Sequence, residues 1–193
     1  YRDMCKFFTL DVFLDELFND VDYLIRVDSD SFFIYTNKRF ISQLSNITKD
    51  YGYIKNTVQF EDKAVTLGFG QTLYKYFKSK NNSLLETEKN IISCQEATLK
   101  PKIFYTNFEV VKLKWARSIK HKKLMRYIIQ SKGIYNYRWG DALIRYYAIK
   151  LLKASKISLS GCLYKHSGIY DSRNIIQIFF TKGYSKIRKR LYK

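Results

Sequence analysis

Proline is almost missing from this chain: Pro101 is the only one in 193 residues. No glycine- or serine-rich linker is present either, so nothing reads as a flexible joint, and one globular unit is expected. Cysteine is sparse. Cys5, Cys94 and Cys162 are widely spaced and form no CxxC pair, which excludes a zinc knuckle and leaves room for one disulfide at most. No apolar run is long enough to cross a bilayer, and no secretory-signal pattern opens the chain. The first residue is Tyr1 and not Met, so an N-terminal portion is expected to be absent. Acids are scarce in one half only. Residues 110–193 hold 21 Lys and Arg but two acids, Asp141 and Asp171, whereas residues 1–109 hold 14 basic and 15 acidic residues.

What is present is a folding composition. Hydrophobic residues make up 46% of the chain and aromatics 17%, far from a disordered segment, and the length supports one domain with a sizeable core. The net charge of +18 points to an anionic partner: nucleic acid, membrane headgroups or a phosphorylated small molecule. A lysine-rich coding bias accounts for the overall charge equally well. It does not account for Glu109, Asp141 and Asp171 standing isolated among bases.

Periodicity gives the coarse order of elements. Met4, Phe7, Phe8, Leu14, Leu17 and Phe18 are spaced as on a helix over 3–18. Residues 22–27 read as a strand, 37–49 as a helix begun by Asn37, 51–56 as a strand and 63–79 as a helix. A loop is expected over 79–83 and an extended piece over 102–111. Residues 115–131 read as a basic helix with Ile119, Leu124, Met125 and Ile128 inward, stopped by Gly133. A helix opened by Gly140 and Asp141 follows over 139–154, then short strands at 157–159 and 162–164. Strands alternating with helices indicate an α/β layered domain.

Within that order, "DYLIRVDSD" (22–30) ends a strand on two acids, Asp28 and Asp30. In α/β sheets, ligands bind beyond the carboxyl ends of strands. Two carboxylates there suit a divalent ion that neutralises a diphosphate. A solvated turn is the plainer reading of an acid-x-acid pair taken alone.

Four further stretches bear on the choice. "YRDMC" (1–5), "RVDSD" (26–30), "TNFEVV" (106–111), "RWGDA" (138–142) and "LYKH" (163–166) occur in one order along the chain. Together they resemble the fungal-type α-1,2-mannosyltransferases, glycosyltransferase family 15. The resemblance implies a GT-A-like α/β fold, a mixed sheet flanked by helices, here without the N-terminal nucleotide-binding half. Residues 1–171 would form this partial domain and 172–193 a basic tail or helix. It also implies retaining transfer of mannose from GDP-mannose to a mannose-terminated glycan on protein or lipid, with Mn2+ as cofactor. Members are usually membrane-anchored enzymes of the Golgi lumen; no nucleic-acid partner is expected of them.

Residue by residue, the resemblance places Asp28 where the family has the Glu of a Glu-Pro-Asp motif; Ser29 replaces the Pro and Asp30 keeps the Asp. Asp28, Asp30 and His166 then become metal ligands, with Asp28 and Asp30 on the donor side. Glu109 matches the candidate catalytic carboxylate, as nucleophile or as stabiliser of an oxocarbenium-like state. Asp141 and Trp139 fall in the acceptor-side motif. Each has a plainer alternative. His166 and Glu109 can cap or pair locally, Asp141 suits the first turn of a helix, and Trp139 with Tyr135 and Tyr137 can be core. Two further readings stand beside the enzyme: a basic module binding nucleic acid or anionic lipid, and an inactive truncated relative.

Overall fold

The structure is a computed structural model that describes residues 1–55, 57–79, 89–90, 92–93 and 101–166. The basic segment 172–193, Asp171, Cys94 and most of the expected 79–83 loop lie outside the described residues. Cys5 and Cys162 are free thiols.

The N-terminal helical stretch is continuous but uneven: α1 (Arg2–Lys6), a π-helical turn (Phe7–Asp11) and α2 (Val12–Leu14). Asp15 stops it in an extended conformation and accepts from the Leu17 N–H, starting a 3-10 turn at Glu16–Phe18. The wide π turn is a local departure of the kind that often marks functional positions. Here the Phe8 carbonyl accepts from Arg145 Nη2 at 2.6 Å, tying this segment to the far side of the domain.

The main sheet runs β1 (Tyr23–Val27), β6 (Phe108–Lys112), β3 (Tyr51–Ile54), β7 (Lys156–Leu159). The first two pairings are antiparallel and the last is parallel. Two ribbons flank it: β2 (Ser31–Thr36) with β8 (Cys162–His166), and β4 (Val58–Phe60) with β5 (Lys102–Phe104). Alternation along β6 assigns its faces. Val110 packs with Phe40, Ile54 and Leu159, while Val111 packs with Phe13, Tyr51, Phe104 and Ile149.

Helices cover both faces. α3 (Lys38–Ser45) starts where the Asn37 side chain accepts from the Phe40 N–H, as expected from its N-cap residue type. The expected helix over 63–79 is instead a 3-10 turn (Lys63–Val65) followed by α4 (Phe69–Lys78). The expected helix over 115–131 divides into α5 (Leu113–Ala116) and α6 (Ile119–Gln130), because Ser118 turns extended and caps the second. Leu124, Met125 and Ile128 point inward, but Ile119, at the first turn of α6, is 68% exposed.

Gly133 does not stop α6. Lys132 takes the left-handed conformation at φ 58°, and Gly133 opens the short α7 (Gly133–Asn136). Its lack of a side chain serves packing: a Cβ there would lie 2.1 Å from the Trp139 ring. α8 (Asp141–Leu151) begins after Gly140 as expected. It packs with α4 and α6 around Phe69, Leu73, Leu124, Met125, Trp139 and Leu143. No helix among the described residues is long and apolar enough to cross a membrane.

Candidate active site

Strand register assembles the site. β1 carries Asp28 off its end, and the Asp28 N–H donates to the Asn107 carbonyl at 2.9 Å, just before β6 begins. A tight turn follows, with the Ser31 N–H donating to the Asp28 carbonyl at 2.9 Å. β2 then starts at Ser31, whose partner in β8 is His166. The turn between two strands therefore holds Asp28 and Asp30 against the end of a third, which carries His166.

The three side chains converge. Each offers one ligand atom, and these atoms lie within 4.8 Å of one another. His166 Nε2 is 2.8 Å from Asp30 Oδ1 and 3.9 Å from Asp28 Oδ2. Two donors adjacent on an octahedral ion are separated by about 3 Å, given bonds of about 2.2 Å. The spacing suits one divalent ion, and two carboxylates with one imidazole form a donor set for it. Asp30 is the open member of the group, at 43% side-chain exposure against 15% for His166.

Behind this cluster runs a line of charges. Arg26 donates from Nε to Asp28 Oδ1 at 2.8 Å and from Nη1 to Asp141 Oδ2 at 2.6 Å. Its guanidinium also lies over the Phe8 ring, 3.7 Å from the centroid. Burial opposes its charge, but Asp141, Asp28 and Glu109 outweigh that and raise its pKa. Thr106 Oγ1 donates to the same Asp141 oxygen at 2.8 Å. Asp141, at the start of α8, is thus both a first-turn acid and a counter-charge, and Arg26 couples it to Asp28.

Glu109 lies deeper, at 2% exposure. Register places it opposite Arg26, and its Oε2 accepts from Arg145 Nε at 3.0 Å. Burial raises its pKa, partly countered by the Arg145 charge. Its β6 position turns the Glu109 side chain under the sheet, on the face of Val111, and not into solvent. Trp139, expected on the acceptor side, is buried as well. It is 1% exposed, edge-on to Phe69, with its indole N–H on the Leu67 carbonyl. It is a core residue, while its neighbour Tyr137 is exposed.

Arg145, Arg26, Thr106, Tyr105 and Asn107 were not singled out by the sequence as site residues. Arg26 and Arg145 look like two more bases in a basic chain. A signal existed for Thr106 and Asn107, which lie in the "TNFEVV" stretch, and for Arg26, which opens "RVDSD". The basic residues of 110–132 lie elsewhere: Lys114, Lys120, Lys123, Arg126 and Lys132 are exposed, and Arg117 clamps the Phe13 and Phe18 carbonyls.

Residues 1–180 match the family described as glycolipid 2-alpha-mannosyltransferase. The chain belongs to that family. Among curated relatives it is 26% identical over 171 residues to a probable mannosyltransferase, KTR4, of Saccharomyces cerevisiae, covering 82% of this chain and 36% of the relative. It is 30% identical over 155 residues to KTR3 of the same yeast, covering 78% and 38%. Among solved structures it superposes on S. cerevisiae Ktr4p in complex with GDP with a TM-score of 0.71 at 23% identity, covering 86% of this chain and 45% of that one. The Mn/GDP form of core-mannan synthase A from Aspergillus fumigatus gives the same TM-score, 0.71, at 16% identity and 48% of that chain. The expected GT-A-like mixed sheet flanked by helices is the fold these comparisons show. The chain spans well under half the length of the curated relatives it matches.

Proposed function

We propose that this chain carries the metal and acceptor side of a retaining α-mannosyltransferase that uses GDP-mannose and a mannose-terminated glycan. The observation that carries the proposal is the convergence of Asp28, Asp30 and His166, from two sequence-distant motifs, within 4.8 Å. Family membership supplies the substrate class.

In this reading Asp28, Asp30 and His166 hold Mn2+. When bound, the ion supplies electrostatic neutralisation of the departing diphosphate. The chain's own residues do the rest. Arg26 fixes the Asp28 carboxylate through two contacts, Nε to Oδ1 at 2.8 Å and Nη2 to Oδ2 at 3.3 Å. Arg26 and Thr106 both hold Asp141, which we assign to the acceptor side. Of the two roles open to Glu109, its burial and its ion pair with Arg145 support the electrostatic one. An ionised Glu109 beneath Arg26 adds negative charge that favours a cationic sugar, whereas attack on the sugar would require leaving the pair. Residence in the Golgi lumen, as a membrane-anchored enzyme, belongs to the same proposal and rests on the family resemblance alone.

The reading of the basic half as a nucleic-acid module has less support. Among the described residues, Lys114, Lys120, Lys123 and Lys132 are dispersed over α5, α6 and the turn after them, and the comparisons are with mannosyltransferases.

The test is GDP release from GDP-mannose by the protein containing this chain, given a mannoside acceptor and Mn2+, with and without chelator. Turnover should require the metal, and Asp30→Asn should abolish it. Turnover that persists after chelation would remove the ligand assignment.

A further inference from the structure

We infer that Tyr105 is a positioning residue: its phenol oxygen accepts from His166 Nδ1–H and so leaves Nε2 bare toward Asp28 and Asp30. The inference rests on the metal reading above and adds to it the group that orients the ligand.

The argument runs through hydrogen-bond donors. Tyr105 Oη lies 3.0 Å from His166 Nδ1. A phenol can donate or accept, so this contact alone does not say which ring nitrogen carries the proton. The other side of the ring decides. Asn107 Nδ2 is 2.9 Å from Asp28 Oδ2 and 2.7 Å from His166 Nε2. The carboxylate fixes the orientation of that amide, because turning its oxygen toward Asp28 would oppose two acceptors. Arg26 in turn fixes Asp28. The amide N–H at 2.7 Å asks Nε2 to accept, whereas the Asp30 carboxylate at 2.8 Å from the same nitrogen asks it to donate, so Nε2 is bare when a cation stands between it and Asp30. The ring proton is then on Nδ1, and Tyr105 must receive it.

The consequence is a nitrogen lone pair facing Asp30 Oδ1 at 2.8 Å. Three lone-pair atoms directed into one space suit a cation. A metal there would displace the Asn107 N–H from Nε2, and Asn107 would keep its bond to Asp28. Metal-ligating histidines commonly need such a partner on the second ring nitrogen, which sets both tautomer and ring orientation.

Tyr105 is placed for this role by backbone as well. Its N–H donates to the Thr57 carbonyl at 3.1 Å, in the turn between β5 and β6. Its ring meets the imidazole edge-on, at 84° with centroids 5.3 Å apart.

The experiment uses the full chain without metal and then with Mn2+. Long-range 15N–1H spectra at a pH above the imidazole range report the His166 tautomer directly. Tyr105→Phe should raise the Nε2–H fraction of His166 above that of the wild type. Mn2+ titration followed by EPR of the free ion should show affinity weakened on the order of tenfold in Tyr105→Phe, with the thermal melt nearly unchanged because the ring remains. Asp30→Asn serves as the independent control and should lose Mn2+ binding. A tautomer ratio unchanged in Tyr105→Phe, or unchanged affinity in Tyr105→Phe while Asp30→Asn fails to bind, overturns the role of Tyr105 alone. Mn2+ binding that survives in Asp30→Asn overturns the metal reading, and this inference with it.

Discussion

At Glu109 a carboxylate sits nearly dry against the Arg145 guanidinium, 3.0 Å from Nε, with side-chain exposures of 2% and 1%. Desolvating both charges is costly, and their attraction offsets that cost only when the remaining polar atoms also find partners. Arg145 meets part of that condition. Nη2 donates to the Phe8 carbonyl and the guanidinium lies over the Phe13 ring, 4.5 Å from its centroid, but Nη1 has no partner. Removing one member therefore strands a buried charge, whereas removing both does not. Glu109→Leu and Arg145→Met should each lower stability by about 3–5 kcal/mol, and the double variant should be less destabilised than either single one. Urea unfolding of the four proteins measures the cycle. Additive losses would mean that the two side chains do not act as a pair, and the electrostatic role proposed for Glu109 would lose its basis.

The β2–β8 ribbon is the element on which the site depends most, because it carries His166 to Asp30. Its entry is the turn between β7 and β8, where Gly161 holds φ at 91°. A Cβ at Gly161 would come 2.2 Å from Asn37 Oδ1, which caps α3. Gly161→Val should therefore cost about 1–3 kcal/mol through backbone strain and displacement of the cap. It should also weaken Mn2+ binding, although Gly161 touches none of the proposed ligands. A variant that melts early yet binds Mn2+ like the wild type would show that β8 is held by its pairing with β2 alone. This ribbon is also where sequence reading fell short. β1, β3 and the helix after Asn37 were legible, because each has local periodicity or a capping residue, whereas β5 and β6 read as one extended piece. β2 was not. "SFFIYT" is apolar on successive positions, its partner lies more than a hundred residues on, and its register shifts between Phe33 and Tyr35. Asp28, Asp30 and His166 were readable through motif order, but not the strand that brings them together. The burial of Trp139 and Glu109 was not legible for a related reason: the resemblance placed them at the site, while only the faces of β6 and the packing around Gly133 decide which side chains reach solvent.

Among the described residues, charged groups of the two halves meet in long-range pairs: Glu109 with Arg145, and Arg26 with Asp141. A buried imidazole lies apart from these pairs. His121, in the first turn of α6, is fully buried between the rings of Trp115 and Phe13, and neither ring nitrogen has a partner. Burial, then the nearby Arg145 charge, push its pKa down to about 3 from 6.5. In the folded chain the imidazole is neutral over the ordinary range, whereas in the unfolded chain it gains a proton below about 6.5. The unfolded state therefore binds more protons, and the sign follows: stability is fully present above about 6.5 and falls as pH drops toward about 3, by up to about 1.4 kcal/mol per pH unit. Carboxylates add a similar slope, mostly at lower pH, so the wild type must be compared with a variant over roughly pH 7 to 5. His121→Leu removes the proton acceptor and keeps an apolar side chain of comparable bulk. Urea unfolding across that window should show the wild type losing stability steadily while His121→Leu stays nearly level. Equal slopes in the two proteins would mean that water or a shifted ring satisfies His121 in solution, and that the core behind the site is wetter than its packing implies.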